Sequence, residues 1–199
     1  MTFMDIIHRG TKYSIVPGND EEDNVISFTN NMFLSIYQKI FSCQVCGSSI
    51  SHHWVSRMLN ILPINGCSIE QLIQKNLSLV VHKNCTVCQT DTEHNESLKW
   101  ICLPRYLVLA INRFSYVGNR TVKSNLCIPV QTQITVDATY FELVSIMHHH
   151  GNGAGSGHYT STLFHDDKVF DCNDMMITES SSYQLADSAT SYMMVYRRK

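Results

Sequence analysis

Hydrophobic positions in the first half of the chain predict two helices. Between residues 26 and 40, apolar side chains recur at near-helical spacing, which predicts an amphipathic helix that could lead into a short strand. A shorter helix is predicted after Gly66, because Ser68 and Gln71 have the spacing of a capping box and apolar residues follow at i, i+3 and i+4. The polar run 18–23 predicts an exposed loop, so we expect the N-terminal segment 1–27 to be loosely ordered.

The pattern changes to strands beyond residue 97. Short β-branched and aromatic runs alternate there with turn residues, which is typical of an antiparallel sheet. Together with the helices of the first half, this predicts an α+β fold. The predicted strands span residues 106–114, 141–147, 158–164, 169–172 and 192–197.

Glycine is concentrated between residues 151 and 157, and this stretch is predicted to be a flexible loop. It lacks the Lys-Ser or Lys-Thr pair of a phosphate-binding loop. It also leads into a strand-like run rather than a helix. Nucleotide binding is therefore a poor interpretation of these glycines.

Composition and charge narrow the class of protein. Hydrophobic residues make up 44% of the 199 residues and charged residues 16%, which favours a folded globular protein. The formal net charge of −2 encodes no broad attraction to nucleic acid or anionic membranes, so we expect neither as a partner. The apolar runs are much shorter than the roughly 20 residues of a membrane span, and the N-terminus does not resemble a signal peptide. We expect an intracellular protein, cytoplasmic or nuclear.

Four of the eight cysteines form two CxxC pairs, which predict a structural zinc site. Each pair can present two thiolates from one tight turn, and four sulfurs complete the tetrahedral shell of Zn²⁺ without leaving a position for water. The stretch between the pairs is longer than the roughly 15 to 20 residues of a compact zinc ribbon, so the metal would join the ends of an extended insert. The predicted ligands are Cys43, Cys46, Cys85 and Cys88.

Other interpretations of these cysteines remain open. The four thiols could be unrelated buried side chains, or one pair could be a redox centre, although neither pair opens a recognisable βαβ unit. A nearby histidine could in principle replace a cysteine as ligand. Surface positions are the simpler prediction for the histidines concerned, which are His52, His53, His82 and His94.

A second candidate site centres on His158, which follows the glycines at the start of a predicted strand. An imidazole suits a general base when a hydrogen-bond acceptor orients it. Asn173 and Asp174 end the next short strand, and in an antiparallel hairpin the two ends would meet. These residues alone leave a purely structural role equally open.

The order of motifs along the chain resembles that of the ubiquitin-specific proteases. The two cysteine pairs are followed by a strand that resembles the family's LPxxLxxxLxRF, then by a segment leading to Gly-His-Tyr, and then by an Asn-Asp pair and a Tyr-rich terminal strand. The resemblance covers residues 43–198. In this sequence the motifs read CQVC, CTVC, LPRYLVLAINRF, FELVSI, GHYT, CNDMMIT and SYMMVYRR.

This resemblance implies a thiol-dependent deubiquitinase that recognises ubiquitin and cleaves bonds to its C-terminal glycine. By motif, His158 would be the base and Asn173 the residue that orients it, while Asp174 matches the acidic residue that follows; Asp171 is the alternate. The resemblance also implies a palm of antiparallel strands and zinc-bearing fingers that hold ubiquitin. It divides a partial protease domain, residues 28–199, into fingers at about 40–100 and a palm at about 101–199.

The family's nucleophile belongs to a cysteine box upstream of the fingers, at the start of a helix in the thumb. The 42 residues ahead of Cys43 contain no cysteine, which predicts that the helical thumb is largely absent and that the chain is inactive alone. Cys67, ahead of a predicted helix, is the best substitute, but we expect it in the fingers, far from His158. Buried filler is the prediction for Cys102, Cys127 and Cys172.

Several interpretations of the missing nucleophile stay open. The chain could be a fragment of a longer protease, a ubiquitin-binding pseudoenzyme, or a partner of a separately made thumb. It could also be a zinc-stabilised scaffold with no catalytic role. Because a palm without its thumb would expose apolar surface, we expect poor solubility or self-association.

Overall fold

Strands dominate the part of the chain that the computed structural model describes, residues 28–180 and 188–199. The predicted N-terminal segment 1–27 lies outside these residues. Within the described ranges, none of the helices has the length and apolar character needed to cross a membrane. In chain order the elements are α1 (Phe28–Phe33), β1 (Ser35–Cys43), β2 (Ser49–Ser56), β3 (Leu59–Ile61), α2 (Ile69–Asn76), β4 (Ser78–Cys85), β5 (Thr90–Cys102), β6 (Tyr106–Ile111), β7 (Phe114–Val117), β8 (Arg120–Lys123), β9 (Gln133–Val136), β10 (Thr139–Gly153), β11 (Ser156–His165), β12 (Lys168–Asn173), β13 (Met176–Ser180) and β14 (Ser191–Arg198).

The chain divides into two compact units. The zinc-finger unit comprises the described residues up to Met58 together with Gln74–Arg105, and the palm unit comprises Leu59–Ile73 together with the described residues from Tyr106 to Lys199. The zinc-finger unit is a four-stranded antiparallel sheet in the order β2-β1-β5-β4. The sequence pattern missed most of its strands, because ahead of residue 97 it allowed only one short strand, after the helix predicted over residues 26–40.

The helix predicted over residues 26–40 is wrong in most of its length. Helix α1 ends at Phe33, and β1 takes over at Ser35. A short apolar run does not distinguish a helix from a strand. Residues 35–43 adopt the strand because they pair with β2 on one side and with β5 on the other. Tyr37 shows the result, because it is 1% exposed and its ring lies 4.4 Å from that of Trp100.

The palm unit is built on an eight-stranded sheet. Seven strands follow the order β13-β12-β11-β10-β14-β6-β3, with β9 paired to β10. All neighbours are antiparallel except β3, which runs parallel to β6. The middle of the sheet is buried, as the almost inaccessible side chains of Leu109, Phe141 and Ile146 show.

The predicted capping box is confirmed at the start of α2. The Ser68 backbone N–H donates to Gln71 Oε1 at 2.9 Å, and the Gln71 N–H donates to Ser68 Oγ at 3.2 Å. These bonds satisfy donors that the first turn leaves free. The predicted apolar face is also confirmed, since Ile69, Leu72 and Ile73 are buried.

The five strands predicted in the second half all appear, although the first ends at Ile111 rather than at residue 114 and the glycine stretch between two others is not a loop. Strand β10 continues to Gly153 and β11 begins at Ser156, so only two residues form the turn. Gly157 has a φ of +146°, and a Cβ there would collide with the His149 ring and the His150 carbonyl oxygen. Gly157 is therefore needed because β10 and β11 approach each other closely here, and not because the segment must be mobile.

Candidate functional site

His158 and Asn173 meet on one face of the palm sheet. Ser161 pairs with Cys172 across β11 and β12, and this register puts His158 and Asn173 on the same face as diagonal neighbours. The His158 Nε2 atom lies 2.6 Å from Asn173 Oδ1, and both side chains are exposed. Because an amide oxygen can only accept, Nε2 carries the proton and the ring's lone pair is on Nδ1.

The two aspartates beside Asn173 are placed differently. Asp174 begins the two-residue turn between β12 and β13 and has a φ of +52°. Asp171 shares the face of Asn173, and its Oδ1 accepts a hydrogen bond from Thr162 Oγ1 at 3.1 Å. Asn173 is thus the residue that contacts His158, whereas Asp171 bonds to the neighbouring strand.

A histidine and threonine network on the same face was missed by the sequence reasoning. His148 Nδ1 lies 3.1 Å from Thr190 Oγ1, and its Nε2 lies 3.1 Å from Thr162 Oγ1. Since Thr162 donates to Asp171, its oxygen accepts from His148 Nε2–H, and His148 Nδ1 accepts from Thr190. Burial, reinforced by nearby His150, holds the pKa of His148 below its usual value, so the ring is the neutral donor and acceptor that this chain of bonds needs.

These side chains line a cleft of about 510 Å³ that also includes Asn173. The signal in the sequence was the alternation of side chains along each strand, which puts His148 and His150 on one face of β10 and Thr160 and Thr162 on one face of β11. In the folded sheet these are the same face. Alternation alone does not reveal which strand lies beside which. The polar face therefore became visible only with the register.

The other face of the same hairpin is aromatic. The ring of His149 is 1% exposed and lies 4.8 Å from that of Tyr159, with Phe114 and Tyr192 at 5.6 and 6.0 Å. Its Nδ1 is buried and has no hydrogen-bond partner within residues 28–180 and 188–199. Consecutive histidines of β10 therefore lie in opposite environments, one polar and one aromatic.

Arg113 anchors the start of β14 in the palm unit. Its side chain is 1% exposed, and its guanidinium donates to four backbone carbonyls, those of Ser124, Leu126, Ser188 and Ser191, at 2.6 to 3.1 Å. Burial lowers the pKa of Arg113 from its usual value. The planar fork of five donors lets one side chain satisfy several carbonyls that would otherwise be buried without partners.

The four cysteines of the CxxC pairs converge in the zinc-finger unit. Their Sγ atoms all lie within 4.8 Å of one another, with Cys43 to Cys88 at 3.9 Å and Cys46 to Cys85 at 3.7 Å. Sulfurs about 2.3 Å from a tetrahedral Zn²⁺ are about 3.8 Å apart, so these distances fit the ion. The four cysteines can hold a zinc ion, and because they would fill all four tetrahedral positions, no position would remain for water and the site would be structural.

The turns at each pair prepare the thiols for a cation. Hydrogen bonds from the Cys88 backbone N–H and the Ser48 hydroxyl lower the pKa of Cys85 to about 5, and the Thr92 hydroxyl lowers that of Cys43 to about 7. Cys88, hydrogen-bonded to the neighbouring thiols, has its pKa raised to about 12. Four thiolates so close together repel one another, and a divalent cation would supply the compensating charge.

The histidines near the cysteine pairs are not part of this group. His52, His53 and His82 are exposed, as predicted. His94 is 4% exposed, so its predicted surface position is wrong. It lies on the face of β5 that is buried, and its Nδ1 donates to the Thr92 carbonyl at 3.0 Å.

The remaining cysteines also differ from expectation. Cys67 is buried and belongs to the palm unit, the unit of His158, rather than to the unit of the zinc ligands. Cys102 and Cys127 are exposed and Cys172 is half-buried, so none is the buried filler that was predicted. Alternation along β12 directs Cys172 to the face opposite Asn173.

Known proteins share both the sequence pattern and the fold. Ubiquitin carboxyl-terminal hydrolase 3 of Mus musculus is 24% identical over 199 aligned residues, which cover 83% of this chain and 38% of the relative. Ubiquitin carboxyl-terminal hydrolase 5 of Arabidopsis thaliana is 30% identical over 130 residues, covering 58% and 14%. The chain thus spans about two fifths of the mouse relative.

Solved structures show the same fold. The yeast SAGA DUB module with a mutated Sgf73 superposes with a TM-score of 0.81 at 18% identity, covering 98% of this chain and 48% of that one. The SAGA Ubp8/Sgf11/Sus1/Sgf73 DUB module bound to ubiquitin aldehyde gives 0.74 at 17% identity, covering 92% and 45%. A family model described as Ubiquitin carboxyl-terminal hydrolase matches residues 1–196. Because that match extends over nearly the whole sequence, the chain belongs to the ubiquitin carboxyl-terminal hydrolase family.

Proposed function

We propose that this chain recognises ubiquitin and supplies the base and the zinc-bearing fingers of a thiol-dependent deubiquitinase. The observation that carries the proposal is the 2.6 Å contact between His158 Nε2 and Asn173 Oδ1. An exposed imidazole oriented by an amide oxygen beside a cleft is what general-base activation of a thiol requires. The relatives' names and the ubiquitin-bound structural neighbours support ubiquitin as the partner.

In the proposed mechanism each residue has a defined task. Asn173 fixes the ring by accepting the Nε2 proton, so that Nδ1 presents its lone pair to a thiol. His158 Nδ1 takes the thiol proton, and the resulting thiolate attacks the carbonyl carbon of ubiquitin's C-terminal glycine. As the C–N bond breaks, His158 returns the proton to the leaving amine, and water activated by His158 then hydrolyses the thioester, which releases ubiquitin's carboxylate and restores the thiol. The four cysteines would hold a zinc ion that stabilises the fingers, separate from the residues of these steps.

We further propose that the nucleophilic thiol is not one of the chain's own eight cysteines. Four of them form the cysteine group, and Cys67 is buried. The Cys102 thiol donates to the Leu103 carbonyl oxygen, and the Cys127 thiol lies near the Arg113 guanidinium rather than at His158. Cys172 lies one residue from Asn173 but on the opposite face of β12, where His158 cannot reach it. The chain alone would then bind ubiquitin without hydrolysing it, and the thiol would come from a thumb segment.

A labelling experiment with ubiquitin that carries a C-terminal electrophile tests this proposal. We expect no adduct with the chain alone and an adduct when a cysteine-bearing thumb segment of a family relative is added. His158→Ala should slow that labelling about 10²- to 10⁴-fold, the usual contribution of a general base. His165→Ala is the matched control, because His165 lies on the same strand and is exposed. An adduct formed by the chain alone would overturn the assignment of the thiol.

A binding role without catalysis is the second candidate, favoured by the same placement of the eight cysteines. Titration with labelled ubiquitin separates the possibilities. Binding without thumb-dependent labelling would indicate a ubiquitin-binding pseudoenzyme. No binding at high micromolar ubiquitin would leave only a zinc-stabilised scaffold. The eight cysteines are free thiols, and thiols stay reduced in the cytosol and nucleus. We therefore propose an intracellular location whether the chain is a protease part, a pseudoenzyme or a scaffold.

A further inference from the structure

Strand β10 loses its neighbour β14 just where it approaches His158, and of the described strands only β11 still pairs with it there. Strand β14 begins at Ser191, which pairs with His148, and the last bond on that side runs from the His149 N–H to the Thr190 carbonyl at 2.8 Å. In an antiparallel strand the N–H and C=O of one residue point to the same side. The carbonyls of His149 and Gly151 therefore face the side on which β14 is no longer present.

A single cation fills this gap. Lys123, the last residue of β8, places its Nζ 2.8 Å from the His149 carbonyl oxygen and 2.8 Å from that of Gly151. We propose that Lys123 is a positioning residue for His158: its ammonium replaces the missing strand and fixes the end of the hairpin that carries His158. This proposal rests on the proposed function only in treating His158 as a base.

The hairpin end needs such support, because its own pairing is irregular. His150 pairs with His158, but the register then shifts before Gly153 pairs with Ser156. Gly157 also lies too close to the His149 ring to tolerate a Cβ. Any movement of the His149 to Gly151 backbone is therefore passed directly to the residue before His158.

The lysine itself is held in place by its surroundings. The Ser124 N–H donates to the Arg113 carbonyl at 2.6 Å, and the Arg113 guanidinium donates to the Ser124 carbonyl at 3.1 Å. The residue that follows Lys123 is thus bonded in both directions. Partial burial, with a contribution from nearby Arg113, lowers the pKa of Lys123 from its usual value. A cation so placed loses part of its hydration, and the two carbonyls are the partners that replace it.

Amide hydrogen exchange and histidine NMR on the whole chain test the proposal. Lys123→Met should raise exchange rates of the amides of residues 150–158 at least tenfold and should move or broaden the His158 ring signals, while distant amides of β6 and β14 keep their rates. Lys168→Met is the matched control, since it removes an exposed lysine paired with Glu179 in the same sheet. Lys123→Arg, which keeps a charged donor, should restore much of the protection.

Unchanged exchange and unchanged His158 signals in Lys123→Met would overturn the proposal. Equal effects of Lys123→Met and Lys168→Met would also overturn it. If Lys123→Met does not fold, the exchange of the Lys123 ammonium protons is measured in the unsubstituted chain instead. These protons should exchange at least tenfold more slowly than the ammonium protons of Lys168. Equal rates would refute the two hydrogen bonds of Lys123 and with them the proposal. None of these measurements needs ubiquitin, so failure to bind ubiquitin would reject the proposed function and leave this result standing.

Discussion

The zinc group and the His158 site are assembled in different ways. In the zinc-finger unit, each half of the site is one tight turn, and the pairing of β1 and β4 with β5 brings the two turns together so that four sulfurs lie within 4.8 Å. In the palm unit, the site depends on β10, β11, β12 and the start of β14, which must all adopt the correct register. A one-residue slip would leave the first site's turns intact and would move every side chain of the second to the wrong face. Each half of the first site is therefore a local turn, whereas every contact of the second site depends on the pairing of several strands.

Removal of zinc should give the largest effect and should be confined to the zinc-finger unit. A structural zinc contributes an apparent binding free energy of about 10 kcal/mol or more, comparable with the stability of a whole domain. We expect one zinc per chain by elemental analysis. A strong chelator should abolish amide protection in β1 and β5 while the palm strands retain theirs. Retained protection in β1 and β5 without metal would contradict the role assigned to the four cysteines.

Gly157→Ala should damage the palm site next most severely. The residue's φ of +146° disfavours a side chain, and a Cβ would collide with the His149 ring. We expect a loss of about 2 kcal/mol in the free energy of unfolding by urea, together with loss of the His158–Asn173 contact by NMR. Gly155→Ala is the control, since a Cβ there meets nothing within 4 Å. Equal effects of the two substitutions would show that the close approach at Gly157 is unimportant.

Acid should have the smallest effect, and it should also act on the palm site. The pKa of His148 is lower in the folded chain than its usual value of about 6.5, so the unfolded state binds the proton more tightly. The contribution of neutral His148 is therefore complete above about pH 6.5 and is lost as the pH falls below it.

We expect this loss to be at most about 1 kcal/mol, because the ring is only partly buried. Urea unfolding at pH 7 and pH 5 measures it. His148→Gln should flatten the difference, whereas His165→Gln, which changes an exposed ring, should not. If His148→Gln loses as much stability between pH 7 and pH 5 as the unsubstituted chain, the acid sensitivity comes from other groups.

The same contrast explains what the sequence could reveal. The two CxxC pairs and the Ser68–Gln71 capping box are local patterns, and the sulfur cluster and the capping bonds both appear in the structure. Most of strand β1 was predicted to be helix, because its identity depends on pairing with β2 on one side and, on the other, with β5 more than 50 residues away. Local spacing carries no information about such partners.

Residues that act across strands were the hardest to find. Lys123, Thr162 and Thr190 carry no recognisable motif, and each acquires its contact only when the palm unit brings distant segments of the chain together. The glycine stretch was misread for a related reason. Glycine permits both a mobile loop and a close strand crossing, and only the position of the His149 ring decides between them.

The position of β14 has a consequence for how the palm is made during synthesis. Residues 191–198 form the last of the described strands, yet they lie between β10 and β6, near the middle of the sheet. Until these residues leave the ribosome, β10 and β6 each present an unpaired edge, and Arg113 lacks the carbonyls of Ser188 and Ser191 that come 75 and 78 residues later. Such edges invite pairing with other chains. The nascent palm therefore passes through a vulnerable interval in which a chaperone would have the most to protect.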